Sequence, residues 1–420
     1  MVEGRTRAAW VEVDLAALAH NVAVLARRAA PSALCAVVKA DAYGHGAVEV
    51  ARTALASGAA GLAVAIVDEG LELRAHGVDA PVLVLSEVLP DAAEVLVRAR
   101  LTATVSTWGG MEALASSARR TGTRARVHVK VDTGMHRVGA TPEEAPSLVH
   151  AVAAEPALQL EAVWTHLAVA DGTTADDRAF TALQLERFDQ VVAALEVRPR
   201  LLHAANTAGA VAWRGARYDM VRCGIGMYGY PPAPAMVRAA AAAEPGPLEP
   251  GPLEPGPLEP GPLEPGPLGP GLAEEVDAVL ASLRPVLSLK ARVSAVRELD
   301  AGERPSYGRR RALPERGVVA TVPVGYADGV PRRLFDTGSP VLVGGRRRPL
   351  AGTVTMDQLM VDCGPSTPVA PGDEVVLIGR QGDEAISAGD WARLLGTISY
   401  EVLCGIGPRL PRVYCGSGAP

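Results

Sequence analysis

Apolar and polar positions alternate along the chain in a pattern that predicts short strands joined to amphipathic helices. Residues 10–13 predict a strand, and Asp14 can then cap a helix whose apolar residues are spaced three or four apart. A brief, β-branched run at 34–38, bounded upstream by Pro31-Ser32, predicts a buried strand. Lys39 therefore lies at the carboxyl end of that strand.

The same strand-then-helix alternation continues to residue 230. Further strand-like runs lie at 61–67, 81–85, 102–105, 127–131, 160–167, 201–202 and 218–221, and helical patterns lie at 91–98, 111–120, 142–153 and 180–195. About eight such units favour a closed (β/α)8 barrel over a doubly wound open sheet, because the count fits closure and no nucleotide fingerprint opens the series. We therefore predict an α/β fold with a TIM-type barrel over residues 12–230.

The amino-acid composition of the chain changes after residue 230. Residues 231–282 contain an alanine run and five tandem Glu-Pro-Gly-Pro-Leu units from Glu244 to Leu268. Proline at this density removes backbone donors, so we expect a disordered or polyproline-like linker. Residues 283–420 show short alternating strands and turns, with one helical pattern at 388–395, and predict a mostly β domain. The N-terminal strand, residues 1–11, could pack with that domain.

Composition narrows the class of protein. The chain has 420 residues, 48% of them hydrophobic, and a net charge of −6, which argues against a nucleic-acid groove and a polybasic membrane surface. No signal-peptide pattern and no membrane-spanning apolar stretch is visible. The five cysteines are odd in number and lack C-x-x-C spacing, so we expect free thiols, a cytoplasmic location and no metal site.

Residues whose side chains could react or bind a ligand follow several predicted strands of the barrel. In this architecture site residues lie at the carboxyl ends of the strands. There the sequence places, in chain order, Lys39, Arg137, His166, Asn206-Thr207 and Arg222 to Ile225. A lysine leaving an apolar strand is partly desolvated, which lowers its pKa and favours Schiff-base chemistry. A lysine at a barrel rim and a histidine on an apolar strand can each also be purely structural.

A lysine Schiff base implies an aldehyde cofactor, of which pyridoxal phosphate is the commonest. Backbone N–H groups of Gly224-Ile225-Gly226 and the hydroxyls of Thr207 and Tyr43 could bind its phosphate. His166 could pack against the ring, and Arg137 suits a substrate carboxylate. The stretch 224–229 also matches G-x-G-x-x-G, but Pro231-Pro232 follow where a dinucleotide site needs a helix.

These motifs together resemble bacterial alanine racemases, which are fold-type III pyridoxal-phosphate enzymes. The resemblance covers the chain except 233–282. Its most specific stretches are Val37 to Gly46, Asp132 to Gly139, Val221 to Gly229, Ser306-Tyr307-Gly308 and Gly352 to Gln358. It implies racemization of alanine to supply D-alanine for peptidoglycan.

The resemblance also implies a role for each matching residue. Lys39 would hold the cofactor and act as one acid/base, and Tyr307 of the other subunit in a head-to-tail homodimer would act on the opposite face. Arg222 would face the pyridine nitrogen, while Arg137 and the Met356 backbone would hold the substrate carboxylate. Lys130 matches a position that is carbamylated in some members.

The sequence departs from this family at Pro408, where some members place a phosphate-binding tyrosine. Alternatives also remain open. A serine or broad-specificity racemase would use the same scaffold. A fold-type III decarboxylase is disfavoured, because such enzymes carry an acidic partner at the pyridine nitrogen where this chain has Arg222. A pyridoxal-phosphate carrier resembles the barrel alone, which the predicted β domain argues against.

Overall fold

A computed structural model describes residues 7–233, 270–365 and 367–416, with only the backbone described at 270–272. The chain begins with strand β1 (Ala9–Asp14) and helix α1 (Leu15–Ala29). Asp14 caps this helix as expected, since its Oδ1 accepts a 2.9 Å hydrogen bond from the backbone N–H of Ala17.

Eight parallel strands follow and form the barrel. They are β2 (Ala33–Val37), β3 (Gly61–Val64), β4 (Val82–Glu87), β5 (Thr102–Val105), β6 (Ala125–Lys130), β7 (Leu158–Trp164), β8 (Leu201–His203) and β9 (Met220–Cys223). The spatial order is β9-β2-β3-β4-β5-β6-β7-β8. Two backbone hydrogen bonds, from Asp219 N–H to Leu202 O at 3.0 Å and from Arg222 N–H to Ala205 O at 2.9 Å, join the two ends. The predicted barrel fold is confirmed, with the sheet nearly closed.

Helices connect and cover these strands. They are α2 (Lys39–Gly44), α3 (Ala47–Ala56), α4 (Val67–Ala75), α5 (Pro90–Arg98), α6 (Trp108–Thr121), α7 (Ala145–Ala154), α8 (Ala175–Ala193) and α9 (Thr207–Ala212). Short 3₁₀ segments occupy Arg214–Ala216 and Ile225–Tyr228. The barrel strands read as nearly continuous apolar runs because helices cover one face and the barrel interior the other. No described helix has the length and apolarity that a bilayer crossing requires.

The linker predicted over 231–282 is wrong in its last part. Residues Pro270–Ser282 form helix α10, which packs against α1 and α9. Val276 and Leu280 of α10 are buried, and the Glu275 carboxylate pairs with Arg28 of α1 at 2.5 Å. Beyond the proline repeats the sequence regains an amphipathic pattern, so a helix can bury its apolar face. The Glu-Pro-Gly-Pro-Leu repeats themselves lie outside the described residues.

The C-terminal domain is mostly β, as predicted. Its strands are β10 (Leu287–Arg292), β11 (Ala295–Leu299), β12 (Gly317–Val322), β13 (Pro340–Val343), β14 (Arg346–Pro349), β15 (Leu359–Gly364), β16 (Glu374–Gln381), β17 (Glu384–Ile386) and β18 (Arg412–Cys415). One sheet has the order β14-β13-β16-β10-β1-β18, with β17 paired to β16, and β11-β12-β15 form another. The N-terminal strand β1 thus lies inside the C-terminal sheet, antiparallel to β10 and parallel to β18.

The expectation of a single helix in this domain is wrong. Besides α11 (Ala388–Leu395), the chain forms α12 (Ser399–Cys404), and short 3₁₀ segments occupy Tyr307–Arg309, Tyr326–Asp328 and Arg332–Thr337. Helix α12 is only six residues long, too short to show a helical period in the sequence. It matters for function because it lies against α2, the segment that begins at Lys39.

Candidate active site

A cavity of about 680 Å³ lies at the carboxyl ends of the barrel strands. It brings together ten of the residues singled out in the sequence. These are Lys39, Tyr43, Lys130, Arg137, His166, Asn206, Thr207, Arg222, Gly224 and Ile225. The ends of five different strands supply them, so the barrel brings residues from distant parts of the sequence into one cavity.

The segment that carries Lys39 has an unusual backbone. Residues 40–43 all have φ between 51° and 54°, so they form a left-handed turn without a glycine. This conformation costs roughly 1–2 kcal/mol per residue, so tertiary contacts must hold it. Glu69 accepts the Ala40 N–H at 2.6 Å, and the Arg412 guanidinium donates to the Gly44 carbonyl at 3.0 and 3.1 Å. The turn therefore presents Lys39 and Tyr43 to the cavity with contacts from both domains.

Four cationic side chains surround this cavity: Lys39, Lys130, Arg137 and Arg222. Burial, and then the nearby Arg137, lowers the pKa of Lys39. Burial, then Arg137 and then Arg222 lower the pKa of Lys130 to about 8. Within the described residues, no carboxylate forms an ion pair with any of the four. The cavity is therefore built to receive anionic groups.

One side of the cavity forms a cradle of small donors. The Gly224 N–H donates to Thr207 Oγ1 at 3.0 Å, and the 3₁₀ segment begins at Ile225. A Cβ on Gly224 would lie 2.5 Å from the Tyr43 hydroxyl, so only glycine lets that phenol approach the backbone here. The hydroxyls of Thr207 and Tyr43 thus lie beside the backbone of Gly224, and hydroxyls next to backbone N–H groups are suited to bind a phosphate.

Arg222 is buried and makes hydrogen bonds through both terminal nitrogens. Nη1 contacts His203 Nδ1 at 2.6 Å, and Nη2 contacts His166 Nδ1 at 3.1 Å and two backbone carbonyls at 2.9 Å. Burial lowers the pKa of Arg222 to about 10, so it stays charged at neutral pH. Because a guanidinium only donates, both imidazoles must accept from it. Burial and this positive charge hold the pKa of His166 well below its usual range, so His166 is neutral.

The C-terminal domain of the same chain closes the cavity with residues that sequence reasoning missed. Ile398, Tyr400, Glu401 and Cys404 belong to α12 or precede it, and all line the cavity. The Tyr400 ring lies 6.0 Å from the ring of Tyr43, and burial raises the pKa of its phenol. No signal in the sequence marked them, because α12 is so short. Pro408 is not among the lining residues.

Two predicted residues, Tyr307 and Met356, do not line this cavity. Both lie on the surface of the C-terminal domain, where Tyr307 is 73% exposed and Met356 is 52% exposed. The Ser306 hydroxyl donates to the Thr353 carbonyl at 2.6 Å, which ties the turn of Tyr307 to the segment that leads to Met356. The structure therefore divides the predicted residues into a cavity group and a surface group.

No cluster of metal-ligating side chains occurs in the described parts of the chain.

The structure thus joins a (β/α)8 barrel to a β domain that closes a lysine-bearing cavity. Two family models match: "Alanine racemase, N-terminal domain" over residues 13–232 and "Alanine racemase, C-terminal domain" over 286–414. The chain therefore belongs to the alanine racemase family, and its prediction as an isomerase is confirmed.

Relatives and solved structures match over nearly the whole length. The chain is 44% identical to an alanine racemase of Symbiobacterium thermophilum, over 98% of each chain. It is 38% identical to one from Nostoc sp., over 96% of this chain and 95% of the relative. Among solved structures it is similar to the alanine racemase from D-cycloserine-producing Streptomyces lavendulae, at a TM-score of 0.81 and 33% identity, over 99% of this chain and 98% of the other.

Proposed function

We propose that this chain interconverts L-alanine and D-alanine with pyridoxal 5′-phosphate as its cofactor. The observation that carries the proposal is the cavity itself. There Lys39, whose pKa is lowered, lies with Arg137 and Arg222, and none of the three forms an ion pair with a carboxylate of the described residues. A cofactor phosphate and a substrate carboxylate supply the missing negative charge. When bound, the cofactor serves as the electron sink that acidifies the substrate's α-proton.

The residues present fit this cofactor at four points: its aldehyde carbon, its phosphate, the face of its ring and its ring nitrogen. The Lys39 amine would hold its aldehyde carbon. The hydroxyls of Tyr43 and Thr207, with the backbone N–H groups of Gly224 and Ile225, would bind its phosphate, since the Gly224 position leaves room only without a Cβ. Neutral His166 would pack against the ring, and Arg222 would face the ring nitrogen. A charged guanidinium there would not give up its proton, so it would leave the ring nitrogen unprotonated and would weaken the electron sink.

We further propose a two-base mechanism in a homodimer with shared active sites. Inverting a stereocentre requires one group to remove the α-proton and another to deliver a proton to the opposite face. Lys39 would act on one face. The partner's Tyr307 would act on the other, since Tyr307 of the same chain is exposed and lies outside its own cavity. Each positioned acid/base contributes about 10²–10⁴-fold to the rate.

Substrate binding would combine both groups of residues. Arg137 lines the cavity and would bind the substrate carboxylate with its guanidinium. The Met356 backbone of the partner subunit would complete the carboxylate site. Met356 is exposed like Tyr307, and the hydrogen bond from Ser306 to Thr353 links their two segments. Lys130 would carry a carbamate, which supplies the negative partner that neighbouring Arg137 and Arg222 lack.

Carbamylation of Lys130 is expected to depend on pH. Only the neutral amine reacts with CO₂, and the pKa of about 8 makes that form abundant at pH 8.5 but scarce at pH 6.5. We expect native mass spectrometry of protein equilibrated with bicarbonate at pH 8.5 to show the added mass of one CO₂. A Lys130→Met variant serves as the control and should lack it. Equal modification of both proteins, or none in either, would contradict the assignment.

Alanine is proposed as the substrate because relatives 38–44% identical over nearly the whole chain are alanine racemases. Fold alone does not decide this, since a histidine racemase from Leuconostoc mesenteroides has the same fold at a TM-score of 0.80 and 30% identity, over 98% of this chain and 99% of the other. A serine or broad-specificity racemase is thus the second candidate.

A chiral assay tests the substrate directly. Purified protein with added pyridoxal phosphate is incubated separately with L-alanine, L-serine and L-histidine, and the D-isomers are quantified. We expect D-alanine to form fastest. Faster formation of D-serine or D-histidine would keep the scaffold but overturn the substrate, and a cofactor-loaded protein that forms no D-isomer would overturn racemization.

The product and location follow from the same proposal. D-alanine would supply peptidoglycan synthesis. All five cysteines are free thiols, which supports a reducing, cytoplasmic location.

A further inference from the structure

A row of four polar side chains, which we call the polar chain, runs through the barrel interior from Arg222 through His203 and His128 to Glu161. Arg222 Nη1 lies 2.6 Å from His203 Nδ1, and His203 Nε2 lies 3.1 Å from His128 Nδ1. His128 Nε2 then faces Glu161 Oε2 at 3.7 Å. Both imidazoles and the carboxylate are buried, and His203 stacks on the Trp164 ring with centroids 5.3 Å apart. Neither His128 nor Glu161 lines the cavity, so neither can touch a ligand there.

The nitrogen that carries the proton of each histidine in the polar chain follows from the hydrogen bonds. Arg222 only donates, so His203 Nδ1 must accept and the proton of His203 must sit on Nε2. His203 therefore donates to His128 Nδ1, which places the proton of His128 on Nε2, facing Glu161. Burial lowers the pKa of both histidines, so each is neutral. Contact with His128 lowers the pKa of Glu161, so it is an acceptor-only carboxylate.

A local irregularity of the sheet puts Glu161 in this position. Val127 pairs with Leu160 and His128 pairs with Ala162, so Glu161 is the extra residue of a β-bulge in β7. A bulge redirects a side chain that regular alternation would point elsewhere. Here it turns Glu161 toward the face of β6 that carries Arg126 and His128, and the carboxylate lies 3.8 Å from the Arg126 guanidinium.

We propose that Glu161 is a positioning residue that acts on Arg222 through His128 and His203. Its negative charge faces the Nε2–H of His128 at 3.7 Å, so it favours the His128 tautomer that matches the direction set by Arg222 at the other end. With the carboxylate removed, His128 could flip its proton to Nδ1, and His203 would then present an N–H to the N–H of Arg222. In the described structure no residue accepts from Arg222 Nε, and Arg222 lines the cavity. This inference rests on the proposed function, in which Arg222 faces the cofactor ring.

The test compares wild type with Glu161→Leu and Glu161→Gln, all loaded with pyridoxal phosphate. Leucine removes the acceptor at similar volume, while glutamine retains a carbonyl that can accept. Glu94→Leu is the matched control, because it removes a carboxylate that is also paired with arginines but lies on the barrel surface. The readouts are ¹⁵N-histidine NMR, the absorbance of bound cofactor, and kcat and KM with L-alanine.

We expect wild type to show neutral His128 and His203 with Nε2–H protons. Glu161→Leu should mix these tautomers, shift the cofactor absorbance and lower kcat about 10–100-fold with little change in KM, the range seen when outer partners of metal ligands are removed. Glu161→Gln should recover most of the loss, and Glu94→Leu should match wild type.

Three results would overturn the inference. They are a wild-type His203 that carries its proton on Nδ1, a Glu161→Leu variant that matches wild type in all readouts, or a Glu161→Gln variant as impaired as leucine. Should Glu161→Leu fail to fold, the wild-type tautomers and the glutamine variant still decide. A wild type that binds no pyridoxal phosphate or racemizes no alanine would overturn the proposed function instead, which is a distinguishable result.

Discussion

Lys39→Ala is expected to lose the absorbance of bound pyridoxal phosphate and nearly all racemization. Lys39 follows a buried strand and lines the cavity. Burial and Arg137 lower its pKa, so its amine is available to the cofactor aldehyde. Its removal takes away both the covalent anchor and one acid/base. The second loss alone is worth about 10²–10⁴-fold in rate. Absorbance spectra and the chiral alanine assay measure the two effects separately.

The chain offers a clean control for this experiment, because it contains only three lysines: Lys39, Lys130 and Lys290. Lys290 lies on β10 and pairs with Glu12 at 3.0 Å, away from the cavity, so Lys290→Ala should keep the cofactor and the activity. Borohydride reduction followed by peptide mapping should place the cofactor mass on the Lys39 peptide. Cofactor on the Lys130 peptide, or undiminished turnover by Lys39→Ala, would refute the assignment.

Tyr307→Phe is expected to keep the cofactor absorbance but to slow racemization about 10²–10⁴-fold. The change deletes only a hydroxyl from a ring that is already 73% exposed on the C-terminal domain, so folding should be unaffected. The loss should appear in kcat rather than in cofactor affinity. Tyr326→Phe is a suitable control, because Tyr326 is another exposed tyrosine of this domain, and it should retain the bound cofactor.

Mixing the two variants tests whether the active site is shared. Lys39→Ala and Tyr307→Phe chains are each expected to lose most activity alone, but a mixed dimer would contain one site with both residues intact. Co-expression with different affinity tags and isolation of the doubly tagged species should therefore restore activity. A doubly tagged dimer as inactive as its parents would place Lys39 and Tyr307 in the same subunit's site, or would show that the second base lies elsewhere.

Much of the barrel was predictable because its signals are local. A strand buried on both faces needs a short apolar run, and a covering helix needs apolar residues three or four apart. Asp14 is a clear case, since an N-cap depends only on the next three residues, and the expected hydrogen bond to Ala17 is present. The prediction failed where proline-rich sequence gave way to α10, because the compositional bias hid the apolar face that packs on α1.

The cavity residues were predictable by the same local logic. Placing Lys39, Arg137, His166, Thr207 and Arg222 at strand ends required only the strand boundaries and the rule that barrel sites form there. Their chemistry then follows from residue type. Closure of the eight strands brings residues up to 186 positions apart in the chain, such as Lys39 and Ile225, to one cavity.

Other features depended on contacts between distant segments, and no local pattern contained them. The bulge that turns Glu161 toward His128 arises from the register between β6 and β7. Tyr400 and Cys404 reach the cavity because α12 packs against the turn after Lys39. Tyr307 is separated from the cavity of its own chain by the placement of the C-terminal domain. Hydrophobic periodicity specifies which face of an element is buried, whereas long-range packing alone specifies what that face meets.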